Sequence, residues 1–285
     1  MNSQHFLLTL ALLGLPSLAR AEEAPAARQY EVQTIKDIAY HEGDDADPVK
    51  HKLDLYVPKD LKDFPTVVFV HGGAWVFGDK SQLGIYSSVG KCLAKQGIGA
   101  AVINYRLSPK VQHPEHVKDV ARAFAWTHGN IAKHGGTAEK LFICGHSAGG
   151  HLSALLAADE TYLKAHNLSL KCIKGAAPMS GVYLIGEGIL PQVFGKDAEK
   201  AKLASPLAHV KADLPPFLII YADKDMPLCD KMSTTFCKAL KDHKCTAELC
   251  EVKDRNHMSI IMSFSRDSDP AMQALVGFVR KQCEK

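Results

Sequence analysis

The sequence predicts an α/β protein with a mostly parallel, twisted sheet of eight strands, and three observations predict it. Short apolar runs alternate along the chain with stretches of helical periodicity, the pattern of strands buried on both faces and joined by crossover helices. The first two strand-like segments instead alternate apolar with polar residues on either side of Gly43-Asp44-Asp45-Ala46-Asp47-Pro48, which marks an antiparallel pair at a sheet edge. The glycine-rich and charged motifs directly follow apolar runs, where the carboxyl ends of parallel strands gather a site.

Taken in order, the antiparallel pair covers residues 32–40 and 52–57. The parallel strands are expected at 66–70, 98–103, 141–144, 175–179 and 217–221, each a compact run rich in Val, Ile, Leu, Phe or Ala, and a last strand at 246–252. Helices are expected at 81–96, 115–133, 148–158, 230–241 and 271–283. Right-handed crossovers then place helices on both faces of the sheet. Residues 181–215 carry few strong periodic signals, so they are expected to form a small cap that selects substrate.

With 285 residues, 46% of them hydrophobic and 23% charged, the chain has globular composition, and residues 22–285 are expected to fold as one domain. The net charge is +3, with Lys and Arg interspersed among Asp and Glu; this argues against nucleic acid as a partner. Residues 6–18 are apolar and end at Ala19-Arg20-Ala21, which predicts a signal peptide over 1–21 and a secreted or periplasmic protein. The leading five residues contain no Lys or Arg, a departure from the usual signal pattern. The apolar stretch is short for a bilayer span and contains Pro16, so no stable membrane association is expected after cleavage. All eight cysteines follow that site; their even number suits an oxidising compartment and permits disulfides. Bridges among the last five would restrain the C-terminal third, whereas Cys144, inside an apolar strand, reads as a buried thiol. No C-x-x-C pair or H-E-x-x-H helix appears, so no metal is expected.

Chemistry concentrates in Gly145-His146-Ser147-Ala148-Gly149, a G-x-S-x-G between a strand and a helix. Small residues on either side of Ser147 let the chain turn sharply, lifting the hydroxyl above the sheet while the next helix aims its first amides at the same point. Val70-His71-Gly72-Gly73-Ala74-Trp75 ends another strand. Its Gly73 and Ala74 amides, with that of Ala148, are the expected oxyanion donors. Trp75 is expected either to wall the acyl pocket or to be plain core. A serine hydroxyl needs a base, and the elbow resembles that of the α/β-hydrolases, in which an acid and then a histidine follow the serine in the chain. That order favours His257 over His166, His209 and His243; His71 and His151 read as structural or surface groups. After residues 217–221, Asp223 and Asp225 both offer a carboxylate, and Asp230 reads as the N-cap of the following helix.

The motifs His71-Gly72-Gly73-Ala74-Trp75, Asn104-Tyr105-Arg106-Leu107-Ser108-Pro109, Gly145-His146-Ser147-Ala148-Gly149-Gly150 and Ala204-Ser205-Pro206-Leu207 resemble those of bacterial carboxylesterases and feruloyl-esterase-like α/β-hydrolases. The group is related to the hormone-sensitive-lipase and arylformamidase families. The resemblance implies a catalytic triad of Ser147, Asp225 and His257, no cofactor, and a small-molecule ester as substrate. Ala74 stands where the hormone-sensitive-lipase group carries a third glycine. Expected substrates are short-chain or aryl esters, including acetyl or feruloyl esters of plant polysaccharide. Alternatives are an arylformamidase-like amide hydrolase, a serine peptidase and a non-catalytic binding module on the same fold.

Overall fold

The computed structural model describes residues 29–285; the apolar leader and its cleavage site lie outside them. The strands are β1 (Val32–Ala39), β2 (Lys52–Pro58), β3 (Phe64–Val70), β4 (Gly99–Ile103), β5 (Gly136–His146), β6 (Gly175–Met179), β7 (Phe217–Lys224) and β8 (Ala247–Asn256). They form one sheet in the order β1-β2-β4-β3-β5-β6-β7-β8. β1 pairs antiparallel with β2, and β2 with β4; every later pairing is parallel. The expected α/β architecture and its antiparallel edge are therefore present.

The helices are α1 (Ile85–Lys95), α2 (Glu115–Asn130), α3 (Ala148–Ala158), α4 (Thr161–Lys164), α5 (Pro191–Phe194), α6 (Ala198–Leu203), α7 (Cys229–Asp242), α8 (His257–Ser263) and α9 (Pro270–Cys283). Because side chains alternate across a strand, Val68 and Val70 join one core with Val120, Phe124, Leu152 and Phe236 of α2, α3 and α7. Val67 and Phe69 join a second with Val89, Leu93, Ile260, Met272 and Leu275 of α1, α8 and α9. The site thus stands on a sheet packed from both faces.

Several boundaries differ from expectation for local reasons. The helix expected from 81 begins at Ile85, because Gly84 adopts φ 71° at its N-cap after a 3-10 turn, Gln82–Gly84. His257 is the first residue of α8, which Asn256 and Ser259 close with a reciprocal capping box. Asp230 is not the N-cap of α7. Leu228 occupies that position with φ 70°, leaving Asp230 in the first turn, where its charge favours the helix dipole. Residues 181–215 leave β6 and return to β7 through α5, α6 and a 3-10 turn, Pro206–His209. The disulfides that an even count permits are not formed: all eight cysteines are free thiols. Cys229, Cys237 and Cys245 are buried; Cys237 and Cys245 join the apolar core, Cys245 Sγ also donating to the Lys211 carbonyl at 3.1 Å, and Cys144 is fully enclosed.

A buried ionic network ties the chain after β4 to α2. Asp119 is fully buried; Arg106 donates to it through Nε and Nη2, and Arg122 through Nη1, all at 2.8 Å. His51 Nε2 lies 3.0 Å from the same carboxylate. Burial alone would raise the Asp119 carboxyl, but the bonds from His51 and Arg106 outweigh it and hold the group well below the usual carboxylate range. Removing one partner from such a cluster leaves uncompensated buried charge, at a cost of about 3–5 kcal/mol. Asp119→Ala is therefore expected to lower the urea-unfolding free energy by roughly 3 kcal/mol; an unchanged midpoint would show that the network does not hold α2 in place.

Candidate active site

Ser147 sits between β5 and α3 with φ 55° and ψ −117°, a backbone conformation that a side-chain-bearing residue adopts only when its surroundings enforce it. The enforcement is steric. A Cβ on Gly145 would lie 2.4 Å from the Gly149 carbonyl oxygen, and one on Gly149 would lie 2.1 Å from that of Val70. The Ser147 amide donates to the Met179 carbonyl at 2.9 Å, which fastens the turn to the end of β6.

Three side chains from distant parts of the chain converge at this turn. Ser147 Oγ lies 2.9 Å from His257 Nε2, and His257 Nδ1 lies 2.7 Å from Asp225 Oδ1. The Asp225 carboxylate also accepts from Ser180 Oγ at 2.5 Å, the Met226 amide at 2.8 Å and the Ala222 amide at 3.2 Å. Burial alone would raise this carboxyl, but the bonds from His257 and Ser180 lead the opposing effects and keep it far below its ordinary value. It remains ionised, so it holds the Nδ1–H tautomer of His257 and leaves Nε2 to accept from Ser147. Asp223, the other carboxylate on offer, lies within β7 and accepts from the Arg255 amide at 3.1 Å. The bonding choice between the two carboxylates is thus made by the turn after β7.

Two neighbours had no separate signal in the sequence. Ser180, just after β6, buttresses Asp225 as above. His146 is buried, with its ring centroid 4.8 Å from that of His257. Its Nε2–H donates to the His257 main-chain carbonyl at 2.8 Å. Burial pushes the His146 imidazole down to about 3, so it supports His257 without placing a second positive charge beside it. In G-x-S-x-G the position of His146 accepts any residue, which is why the motif did not single it out. The other histidines stand apart: His209 bonds to the Leu203 carbonyl and His243 to that of Ala239.

The loop after β3 lies against the turn, since a Cβ on Gly72 would come within 3.4 Å of Ser147 Cβ. Gly73, Ala74 and Trp75 take φ values of 123°, 49° and 61° in succession, and a Cβ on Gly73 would collide with the Phe77 carbonyl at 2.0 Å. The Gly72 amide is bonded to Tyr86 Oη at 3.0 Å. Among the described residues, the amides of Gly73 and Ala74 have no acceptor. Ala148 opens α3, where an amide has no partner within the helix.

Trp75 is a correction. Its indole is only 4% exposed, so it offers no open face to an acyl group. It donates to His151 Nδ1 at 3.2 Å and meets Phe194 edge-on at 5.0 Å. His151 and His71 are both fully buried; His71 donates from Nδ1 to the Gly72 carbonyl at 2.7 Å and stacks on Tyr105 at 4.4 Å. Around the converging side chains the surface is apolar: Phe77, Leu184, Met226, Leu228 and Met258 are each more than half exposed. A recess of about 160 Å³ is lined by Tyr183, Leu184, Leu207, Leu228, Lys231, Met232 and Thr235, and by none of Ser147, Asp225 and His257. A larger cleft, about 610 Å³, lies between β1 and β2 and the start of β3, and none of the groups above lines it.

The BD-FAE family model matches residues 53–180, the part that carries the loop after β3, Ser147 and Ser180. The chain is 30% identical over 251 residues to Esterase LipQ of Mycobacterium tuberculosis, covering 81% of this chain and 58% of LipQ. It is 29% identical over 241 residues to isoprenylcysteine alpha-carbonyl methylesterase ICME of Arabidopsis thaliana, covering 76% of this chain and 56% of that protein. The chain thus spans little more than half the length of these relatives. Among solved structures, a truncated carbohydrate esterase from gut microbiota superposes with a TM-score of 0.75 at 22% identity, over 92% of this chain and 100% of the other. Inhibited esterase B from Lactobacillus rhamnosis gives 0.72 at 22% identity, over 93% and 91%. At that identity the likeness speaks for the fold, which is that of the α/β-hydrolases.

The histidines around the site make the fold acid-sensitive. Burial lowers His71, His113 and His116 to about 4, and His146 and His151 to about 3. In the unfolded chain each titrates near about 6.5. Between roughly pH 6.5 and pH 4 the unfolded state binds protons that the folded state does not, so stability falls as pH falls. The thermal midpoint at pH 5 is expected to lie at least about 5 °C below that at pH 7.5. A flat profile between those values would show that the imidazoles are not held neutral by the fold.

Proposed function

We propose that the chain, whose fold is that of the α/β-hydrolases, is a serine carboxylesterase that works through an acyl-enzyme on Ser147. The observation that carries this reading is the unbroken line from Asp225 through His257 to Ser147, at 2.7 and 2.9 Å, beside two amides with no other acceptor. His257 takes the Ser147 proton as Oγ attacks the ester carbonyl carbon. The amides of Gly73, Ala74 and Ala148 receive the oxyanion, and Asp225 stabilises the imidazolium. His257 then protonates the departing alcohol. Water, deprotonated by the same imidazole, attacks the acyl-enzyme and releases the acid.

The exposed apolar side chains beside the triad, Phe77, Met226 and Met258, support short-chain or aryl esters as substrates. The carbohydrate esterase among the structural neighbours supports acetyl or feruloyl esters of plant polysaccharide as a natural source of such groups. The apolar leader ending at Ala19-Arg20-Ala21 supports export of the enzyme.

Ser147→Ala is expected to abolish nearly all hydrolysis of p-nitrophenyl acetate and butyrate while circular dichroism stays unchanged; wild-type turnover in that variant would refute the reading. Asp225→Asn is expected to lower kcat/KM about ten-thousandfold, and Asp223→Asn no more than a few-fold. A larger loss in the second variant would reassign the acid. Turnover of N-formylkynurenine above that of every ester tried would move the activity from esters to amides.

A further inference from the structure

Trp75 and His151 are distant in sequence and meet beneath the loop that presents Gly73 and Ala74. Trp75 Nε1–H donates to His151 Nδ1 at 3.2 Å, while His151 Nε2–H donates to the Ala204 carbonyl at 2.7 Å. An imidazole accepts at one nitrogen while donating from the other in a single neutral tautomer. Burial keeps His151 neutral by lowering it to about 3, and the Ala204 carbonyl keeps the proton on Nε2. With the proton on Nδ1, two N–H groups would face each other and the indole would lose its anchor.

The anchor matters because the loop is strained. Ala74 and Trp75 hold φ 49° and 61°; such conformations are costly for residues that carry a side chain and persist only when their surroundings over-determine them. Trp75 is gripped on two sides by residues 181–215, through Phe194 at 5.0 Å and, by way of His151, through Ala204. His151 also lies one helical turn beyond the nucleophile, its amide donating to the Ser147 carbonyl at 2.9 Å. One imidazole therefore touches the elbow, the loop after β3 and the stretch between β6 and β7.

We propose that His151 is a positioning residue: through its tautomer, residues 181–215 hold Trp75, and with it the Gly73 and Ala74 amides, where an oxyanion can be received. The kinetic consequence rests on the esterase reading; the structural one does not.

The test separates the two bonds. Asparagine at 151 places its carbonyl oxygen near the site of Nδ1 and keeps the acceptor for Trp75. Glutamine reaches the site of Nε2 and keeps only the donor to Ala204, and phenylalanine keeps neither. The chain has two tryptophans, so Trp126→Phe leaves Trp75 as the sole emitter. In that background, acrylamide quenching of Trp75 is expected to rise at least about twofold in His151→Gln and His151→Phe and to stay near the parent value in His151→Asn. Per active site titrated with a phosphonate, kcat is expected to fall on the order of a hundredfold in the first two, the scale of a misplaced catalytic group. KM is expected to hold, and His151→Asn to retain most turnover. If those two variants fail to fold, Trp75→Phe removes the same bond from the other side and is expected to show the same loss in kcat. Unchanged quenching across the series, or unchanged turnover per titrated site, would overturn the assignment. A wild-type enzyme that turns over no ester would refute the esterase reading alone, and the quenching series would still decide the role of His151.

Discussion

The bend at Ser147 is the constraint on which the rest of the site depends. For a serine to hold φ 55°, three backbones must close around it more tightly than side chains allow: β5 entering, α3 leaving, and the end of β3 alongside. The glycines at 145 and 149 make that approach possible, and the bond from the Ser147 amide to Met179 locks it. Once the bend exists, α3 delivers its first amide beside the hydroxyl, and the loop after β3 has one place to lie. Loosening the bend would displace the nucleophile and the amides together.

The electrostatics are divided in a way that serves the same geometry. Among the groups that touch His257, Asp225 is held firmly ionised and His146 firmly neutral. One neighbour therefore favours a positive charge on His257, and the other does not oppose it. Exposed apolar side chains, Met226 and Met258 among them, flank these groups, and the charge that develops in the reaction is met by Asp225 and by backbone dipoles.

Much of this was legible in the sequence because it is local. Strands buried on both faces read as apolar runs; the boundaries of β6 and α3 follow directly from Gly175 to Met179 and from the chain after Ser147. The elbow and the glycine loop could be placed by their motifs, and the order of serine, acid and histidine by the resemblance those motifs carry. Less legible was whatever depends on side chains meeting across the fold. Asp223 and Asp225 are chemically alike, and only the turn after β7 decides which one faces His257. His146 and Ser180 act through bonds to partners 111 and 45 residues away, and Trp75 was drawn inward by His151 and Phe194. The cysteines show the opposite case: an even count permitted bridges, while two of the C-terminal thiols, Cys237 and Cys245, are buried in the apolar core.

The groups of the site are unequally seated. Ser147 rises from β5, which has a strand on each side, whereas Asp225 and His257 follow β7 and β8, and β8 is the outermost strand, paired to β7 alone. Edge elements open at lower free energy than central ones. Under mild denaturant the imidazole would drift out of register while the hydroxyl and the bulk of the sheet kept their places, and turnover would fade before any spectroscopic sign of melting.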